Sequence, residues 1–157
     1  MEPTGWLEFD VEGIAIALRI PAEDVQTYFT DGRRVSFLIE RRAVEAMPGS
    51  ELAPSEGSGY DLIDSDGGYW EVRSLTKGGI YFCPSKMVGS GRSFEEDGFL
   101  EKLDNIEGYF VTDVTQFPEM PYWHVSTNVV ENWWHEGLLG NSSKISNQKF
   151  FNLIEDA

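Results

Sequence analysis

Apolar and polar positions change period several times along the chain, and each change marks an element. From Trp6 to Ile20 the two kinds alternate loosely, and Ile, Val and Ala dominate. This predicts one or two strands, or a strand and a short helix. Pro21-Ala22-Glu23-Asp24 opens a short helix with proline near its first turn. Asp31-Gly32 is a break, and Asp31 can cap the next helix. Between Arg33 and Met47 the period is helical, with Val35, Leu38, Ile39 and Ala46 on one face, Arg42 in the same stripe, and Glu40 and Arg41 flanking it. Pro48-Gly49-Ser50 ends that helix, and residues 49–58 read as a loop.

Three short strands are predicted next, at 59–63, 69–75 and 80–83, joined by turns at Ser65-Asp66-Gly67-Gly68 and Thr76-Lys77-Gly78-Gly79. A loop over 84–92 carries Gly89-Ser90-Gly91-Arg92. Ser93-Phe94-Glu95-Glu96 has the form of a capping box and opens a helix to about Asn105. Strands come next at 108–114 and 122–126, then a helix over 128–136 ended by Gly137, then a mixed tail. The order is that of a mixed α/β fold, a central mixed β-sheet flanked by helices in a single domain over residues 1–157.

Composition narrows the partners. Hydrophobic residues make up 41% and aromatics 13%, which is enough to build a core and excludes a disordered chain. One cysteine, Cys83, excludes an intrachain disulfide and a cysteine-rich zinc site. No apolar run reaches the roughly 20 residues of a membrane span, and Met1-Glu2-Pro3-Thr4 lacks the start of a signal peptide. A soluble, cytoplasmic protein without a membrane partner is expected. The net charge of −15, from 12 basic and 27 acidic residues, disfavours a broad DNA-binding surface but leaves room for a local basic groove or one charged by metal.

The chemistry concentrates between Gly59 and Ser74. Glu71 and Arg73 are two apart on a predicted strand, so they share a face, with Tyr69, and Trp70, Val72 and Ser74 point the other way. The hairpin brings Asp61 beside Glu71. Two carboxylates on adjacent strands can bind a hard cation such as Mg²⁺, with the Val72 carbonyl as a further oxygen ligand. Arg73 can neutralise charge developing on a phosphoryl group. Asp64 and Asp66 belong to the turn.

Asp61, nine residues, then Glu71-Val72-Arg73 resembles the PD-(D/E)XK motif of restriction endonuclease-like nucleases. That resemblance implies a core of helix, three strands, helix and strand over about 33–114. It also implies a Mg²⁺- or Mn²⁺-dependent DNA endonuclease acting as a homodimer. Asp61 and Glu71 would hold the metal with the Val72 carbonyl, Glu40 (or Glu45) would assist from the helix, and Arg73 would stand at the lysine position. Tyr60 stands where the family has proline. Arginine is a poor general base, so Lys77 is a candidate to reach in. Lys77, Lys86 and Arg92 are the expected nucleic-acid contacts, and a phage or mobile element is one possible setting. A second reading keeps the fold without the activity, as an acidic interaction module or DNA mimic. A third is a sugar- or nucleotide-binding domain built on Trp123, Trp133 and Trp134, although a core role is expected for those rings. His124 and His135, without cysteine partners, are not expected to bind zinc.

Overall fold

Asp10 divides the first apolar segment in two. In the computed structural model, which describes residues 1–55 and 57–157 with residues 32 and 33 by backbone alone, Gly5–Glu8 is strand β1 and Val11–Leu18 is helix α1. The Asp10 carboxylate accepts a 3.0 Å hydrogen bond from the Gly13 N–H and so caps the helix. Helix α2, Ala22–Phe29, starts behind Pro21, and α3 spans Gly32–Ala46. Val35, Ile39, Ala43 and Met47 form the buried stripe of this region, at the i, i+4 spacing of one helix face. Arg42 lies beside that stripe, donating to the Glu8 carbonyl at 3.1 Å with its guanidinium 4.6 Å from the Phe9 ring centroid.

The meander is built from different segments than the sequence predicts. Strand β2, Glu51–Leu52, comes from the stretch read as a loop; two residues are too short to show a period. Leu62–Ile63 is β3 and Tyr69–Leu75 is β4, antiparallel with Leu62 opposite Trp70. The third expected strand, 80–83, is reduced to β5, Ile80–Tyr81, and leaves the sheet. The reason is that both edges of β4 are taken. On one side lies β3. On the other, α4 (Glu96–Asn105) returns the chain so that β6, Gly108–Asp113, pairs with β4 in parallel from Trp70–Gly108 to Leu75–Asp113.

The sheet continues through β7, Glu119–Ser126, antiparallel to both β6 and β1. Its strand order is β1-β7-β6-β4-β3-β2. Thr127–His135 forms α5, capped by Ser126, and the tail supplies β8, Lys144–Ile145, and α6, Asn147–Asp156. The displaced β5 pairs antiparallel with β8. The capping box expected at 93–96 does not form: the helix begins at Glu96, and Glu95 makes no side-chain cap. Phe94 instead packs at 5.7 and 5.4 Å from the Phe99 and Trp134 ring centroids.

Strand parity sends alternate residues to two cores. Phe110, Tyr122 and Leu62 join the face covered by α1, α2 and α3. Leu75, Tyr109, Val111, Trp123 and Val125 join Phe99, Trp133 and Phe150 on the opposite face. The six fully buried positions of β6 result from helices covering both sides. Trp123 and Trp133 are core residues, and Trp134 packs against that core while its indole N–H donates to Glu96 at 3.0 Å. No helix among the described residues is long and apolar enough to cross a membrane.

The turn before β5 depends on Gly79. Its φ is +97°, and a Cβ there would lie 2.0 Å from the Ile145 carbonyl oxygen. Gly79→Ala is therefore expected to lower unfolding free energy by about 1–3 kcal/mol in urea titrations and to expose the β8–α6 tail to protease. Unchanged stability would mean that the tail does not rest on this turn.

Candidate functional site

The β3–β4 hairpin sets the centre of the site. Leu62 is opposite Trp70, so one step further the pairing brings Asp61 level with Glu71. Asp61 lies just before β3, yet its backbone continues the ladder: its N–H donates to Trp70 at 2.9 Å, and its carbonyl accepts from Ala53 at 2.9 Å. The Asp61 Oδ2 accepts a 2.7 Å hydrogen bond from the Val72 N–H. The turn itself is fixed by Asp64, which accepts from the Asp66 and Gly68 N–H groups and from the Trp70 indole at 2.7 Å. Asp64 is thus the turn residue the sequence predicts; Trp70, above all, and the backbone donors hold its carboxyl below the usual range.

Glu71 and Arg73 share the face of β4 that looks towards α4, and both are nearly closed off, at 6% and 9% exposure. Arg73 Nη1 reaches Glu71 Oε2 at 2.9 Å and the Val72 carbonyl at 3.2 Å, while Nη2 donates to the Cys83 carbonyl at 3.2 Å. Its guanidinium lies 5.1 Å from the Tyr81 ring centroid, and its Nε is buried without a partner. The other oxygen of Glu71 meets a residue that the sequence reading missed. Lys102, on α4, contacts Glu71 Oε1 and the Gly59 carbonyl through its ammonium group. Its distance along the chain hid it; the signal that could have found it is the parallel β4–α4–β6 crossover, which lays α4 over the Glu71 face.

Two carboxylates and two cations now share one partly dry space, and their proton affinities separate. Burial pushes Glu71 up, but Arg73 and then Lys102 outweigh it, so its carboxyl stays below the usual range. Burial, then the Glu71 charge, pushes Asp61 up to about 7 against the pull of the Val72 N–H and Arg73. Glu71 therefore carries the charge and Asp61 holds a proton until near neutrality. Cys83 and Tyr109 are also raised by burial, which keeps both neutral and leaves the thiol inert. Burial likewise lowers His124, favouring neutral imidazole.

The cluster opens into a cavity of about 840 Å³. Glu40 reaches its wall from α3, in the opposite layer, and Lys77 and Lys144 line it near the paired strands β5 and β8. Lys77 is exposed on the rim, and the ammonium that bonds Glu71 belongs to Lys102. Glu45 is outside the site: it pairs with Arg42 at 3.3 Å and is 74% exposed. Lys86 is exposed between Ser85 and Met87, and Arg92 donates to the Ser85 and Val88 carbonyls at 3.2 and 3.4 Å. Ser85 and Val88 line the cavity, so this loop forms its lip. Among the described residues, no group of three or more His, Cys, Asp or Glu side chains is arranged to hold a metal ion.

The raised Asp61 carries a pH signature. The folded protein binds a proton that the unfolded chain releases at lower pH, so this group's stabilisation is present in acid and lost as pH rises towards about 7. Asp61→Asn keeps an acceptor for Val72 and removes that loss. The difference in melting temperature, variant minus parent, is expected to grow by about 3 °C or more between pH 5 and pH 8 without divalent metal. A difference independent of pH would place the Asp61 proton elsewhere. Neither a protein-family model, nor a curated protein, nor a solved structure matches this chain.

Proposed function

We propose that this protein is a divalent-metal-dependent endonuclease that hydrolyses DNA phosphodiester bonds. The observation that carries the reading is the convergence of Asp61 and Glu71, from adjacent strands, beside Arg73 and Lys102. The order of elements supports it: α3, the antiparallel β2-β3-β4, α4, then β6 parallel to β4 is the order of the restriction endonuclease-like core that the motif resembles.

The residues fit a Mg²⁺ or Mn²⁺ ion by the chemistry of their donors. Asp61, Glu71 and the Val72 carbonyl are hard oxygen ligands, and Mg²⁺ is commonly held by one or two carboxylates with water and substrate phosphate. A cation there would replace the proton that burial and then the Glu71 charge hold on Asp61. When bound, such a cation supplies Lewis acidity towards the phosphoryl group and acidifies water. Asp61 and Glu71 would hold it, with Glu40 as the outer acidic residue. Lys102 and Arg73 keep Glu71 ionised and fix its two oxygens. In hydrolysis, water forms the new bond to phosphorus, the ester oxygen leaves, and that oxygen takes up a proton.

Substrate binding falls to the rim. Four acidic residues along the two cavities, Asp31, Glu40, Asp61 and Glu71, are matched by four basic ones, Arg41, Arg73, Lys77 and Lys144. A groove balanced in charge on a chain of net charge −15 is a local departure towards positive potential. Lys77, Lys86, Arg92 and Lys144 are the proposed phosphate contacts. The reading extends to a homodimer in an intracellular setting. Ile16, Leu18 and Ile20, at and after α1, are exposed apolar side chains available to a subunit contact.

A second reading, an inactive nuclease-like fold serving as an acidic interaction module, is favoured by one observation: both oxygens of Glu71 are already engaged by cations. Plasmid cleavage separates the two. The nuclease reading expects nicking with Mg²⁺ or Mn²⁺, with the metal concentration needed for half-maximal cleavage falling as pH rises towards about 7, because metal must displace the proton on Asp61. It expects loss of at least about 100-fold in Glu71→Ala, and a smaller loss in Lys102→Met. No metal-dependent cleavage by the parent chain, or cleavage equal in Glu71→Ala, refutes it.

A further inference from the structure

Phe37 is 62% exposed on α3 and belongs to neither core. It is nonetheless held in place. Arg41 Nη1 donates to the Phe37 carbonyl at 2.9 Å, and the Arg41 guanidinium carbon lies 3.3 Å from the ring centroid. One ring face is capped by a cation and the remainder meets solvent. Such an arrangement adds nothing to the core, and it stands at a particular place.

Phe37 and Arg41 line a second cavity, of about 440 Å³, which shares Ser36, Glu40, Asp61 and Ser85 with the larger one. The two therefore adjoin, with Asp61 on the wall of both. Lys77 and Lys144 line the arm on one side of Asp61, and the Phe37–Arg41 pair lines the arm on the other. Tyr60 gives the second arm another aromatic wall. Its ring lies flat against Tyr69, with centroids 4.0 Å apart and planes 7° from parallel.

We propose that this second cavity binds an unpaired nucleobase, stacked on Phe37, from a strand whose neighbouring phosphate lies at Asp61 and Glu71. The inference rests on the nuclease reading and adds the form of the substrate. The volume suits a small planar group. An aromatic face backed by guanidinium suits a base, because every base presents a π-face. Ser55 and Ser85 on the same walls suit polar base edges better than an apolar peptide anchor. A base in an intact duplex would have to leave its stack to enter. Single strands, frayed ends and mismatches are therefore the favoured substrates.

The test is binding without divalent metal, so that no cutting intervenes. The full chain is titrated against an oligonucleotide carrying the fluorescent base 2-aminopurine, first single-stranded and then in a blunt duplex. The single strand is expected to bind more tightly, with quenching of the probe as it stacks. Phe37→Ala is expected to weaken single-strand binding about tenfold, Phe37→Tyr to restore it, and duplex binding to change little. Because Phe37 lies outside both cores, the variants retain the fold. Single-strand affinity unchanged in Phe37→Ala overturns the proposal, as does a variant whose only change is in oligomeric state, which would make Phe37 a contact between copies. Phe37-dependent binding without cleavage would sustain this site and refute the nuclease; metal-dependent cleavage indifferent to Phe37 would do the reverse.

Discussion

Glu71 is a carboxylate placed where a carboxylate should be unstable, and the rest of the site depends on how that is resolved. Burying one charge without partners is prohibitive, so the fold brings two cations to it, Arg73 from the same strand face and Lys102 from α4. A second carboxylate, Asp61, is driven to keep its proton by its own burial and then by the charge already settled on Glu71. Unequal neighbours thus give two acids on adjacent strands opposite protonation states.

The sheet supplies the geometry. Pairing of β3 with β4 fixes Asp61 opposite Glu71, and the parallel pairing of β6 with β4 obliges α4 to cross the same face, carrying Lys102. With both edges of β4 occupied, the chain after Gly79 has no place in the sheet. It pairs with the C-terminal β8, and in doing so sets Lys77 and Lys144 at the cavity. The cation-lined rim and the buried carboxylate pair are therefore two outcomes of one choice of strand neighbours.

Much of this was legible in the residues, and the failures have physical causes. Strand parity correctly put Glu71 and Arg73 on one face and made Asp64 a turn residue, because a period of two and an Asx turn are local properties. The helix over 33–47 and the strand at 108–114 came from periodicity and apolar runs long enough to be unambiguous. The meander was mis-assigned because a two-residue strand at 51–52 has no period, and because Ile80-Tyr81-Phe82 is as apolar as a sheet strand would be. Its burial comes from the α4–α6 core instead. Lys102 was invisible because its partner is 31 positions away along the chain. Glu40 does reach the cavity wall, while Glu45, five residues on and so on a different face of the helix, turns to solvent and Arg42.

The division of protons between Asp61 and Glu71 is the central claim, and carboxyl ¹³C NMR reads that division directly. In metal-free protein, titrated from acid to pH 9 and assigned with Asp61→Asn, the Asp61 carboxyl should titrate with a midpoint at about 7, and Glu71 should lose its proton below the usual range of glutamate. An Asp61 midpoint at about 4, the ordinary value for aspartate, would contradict it: the two carboxylates would then be independent surface acids, with no buried charge for Arg73 and Lys102 to resolve.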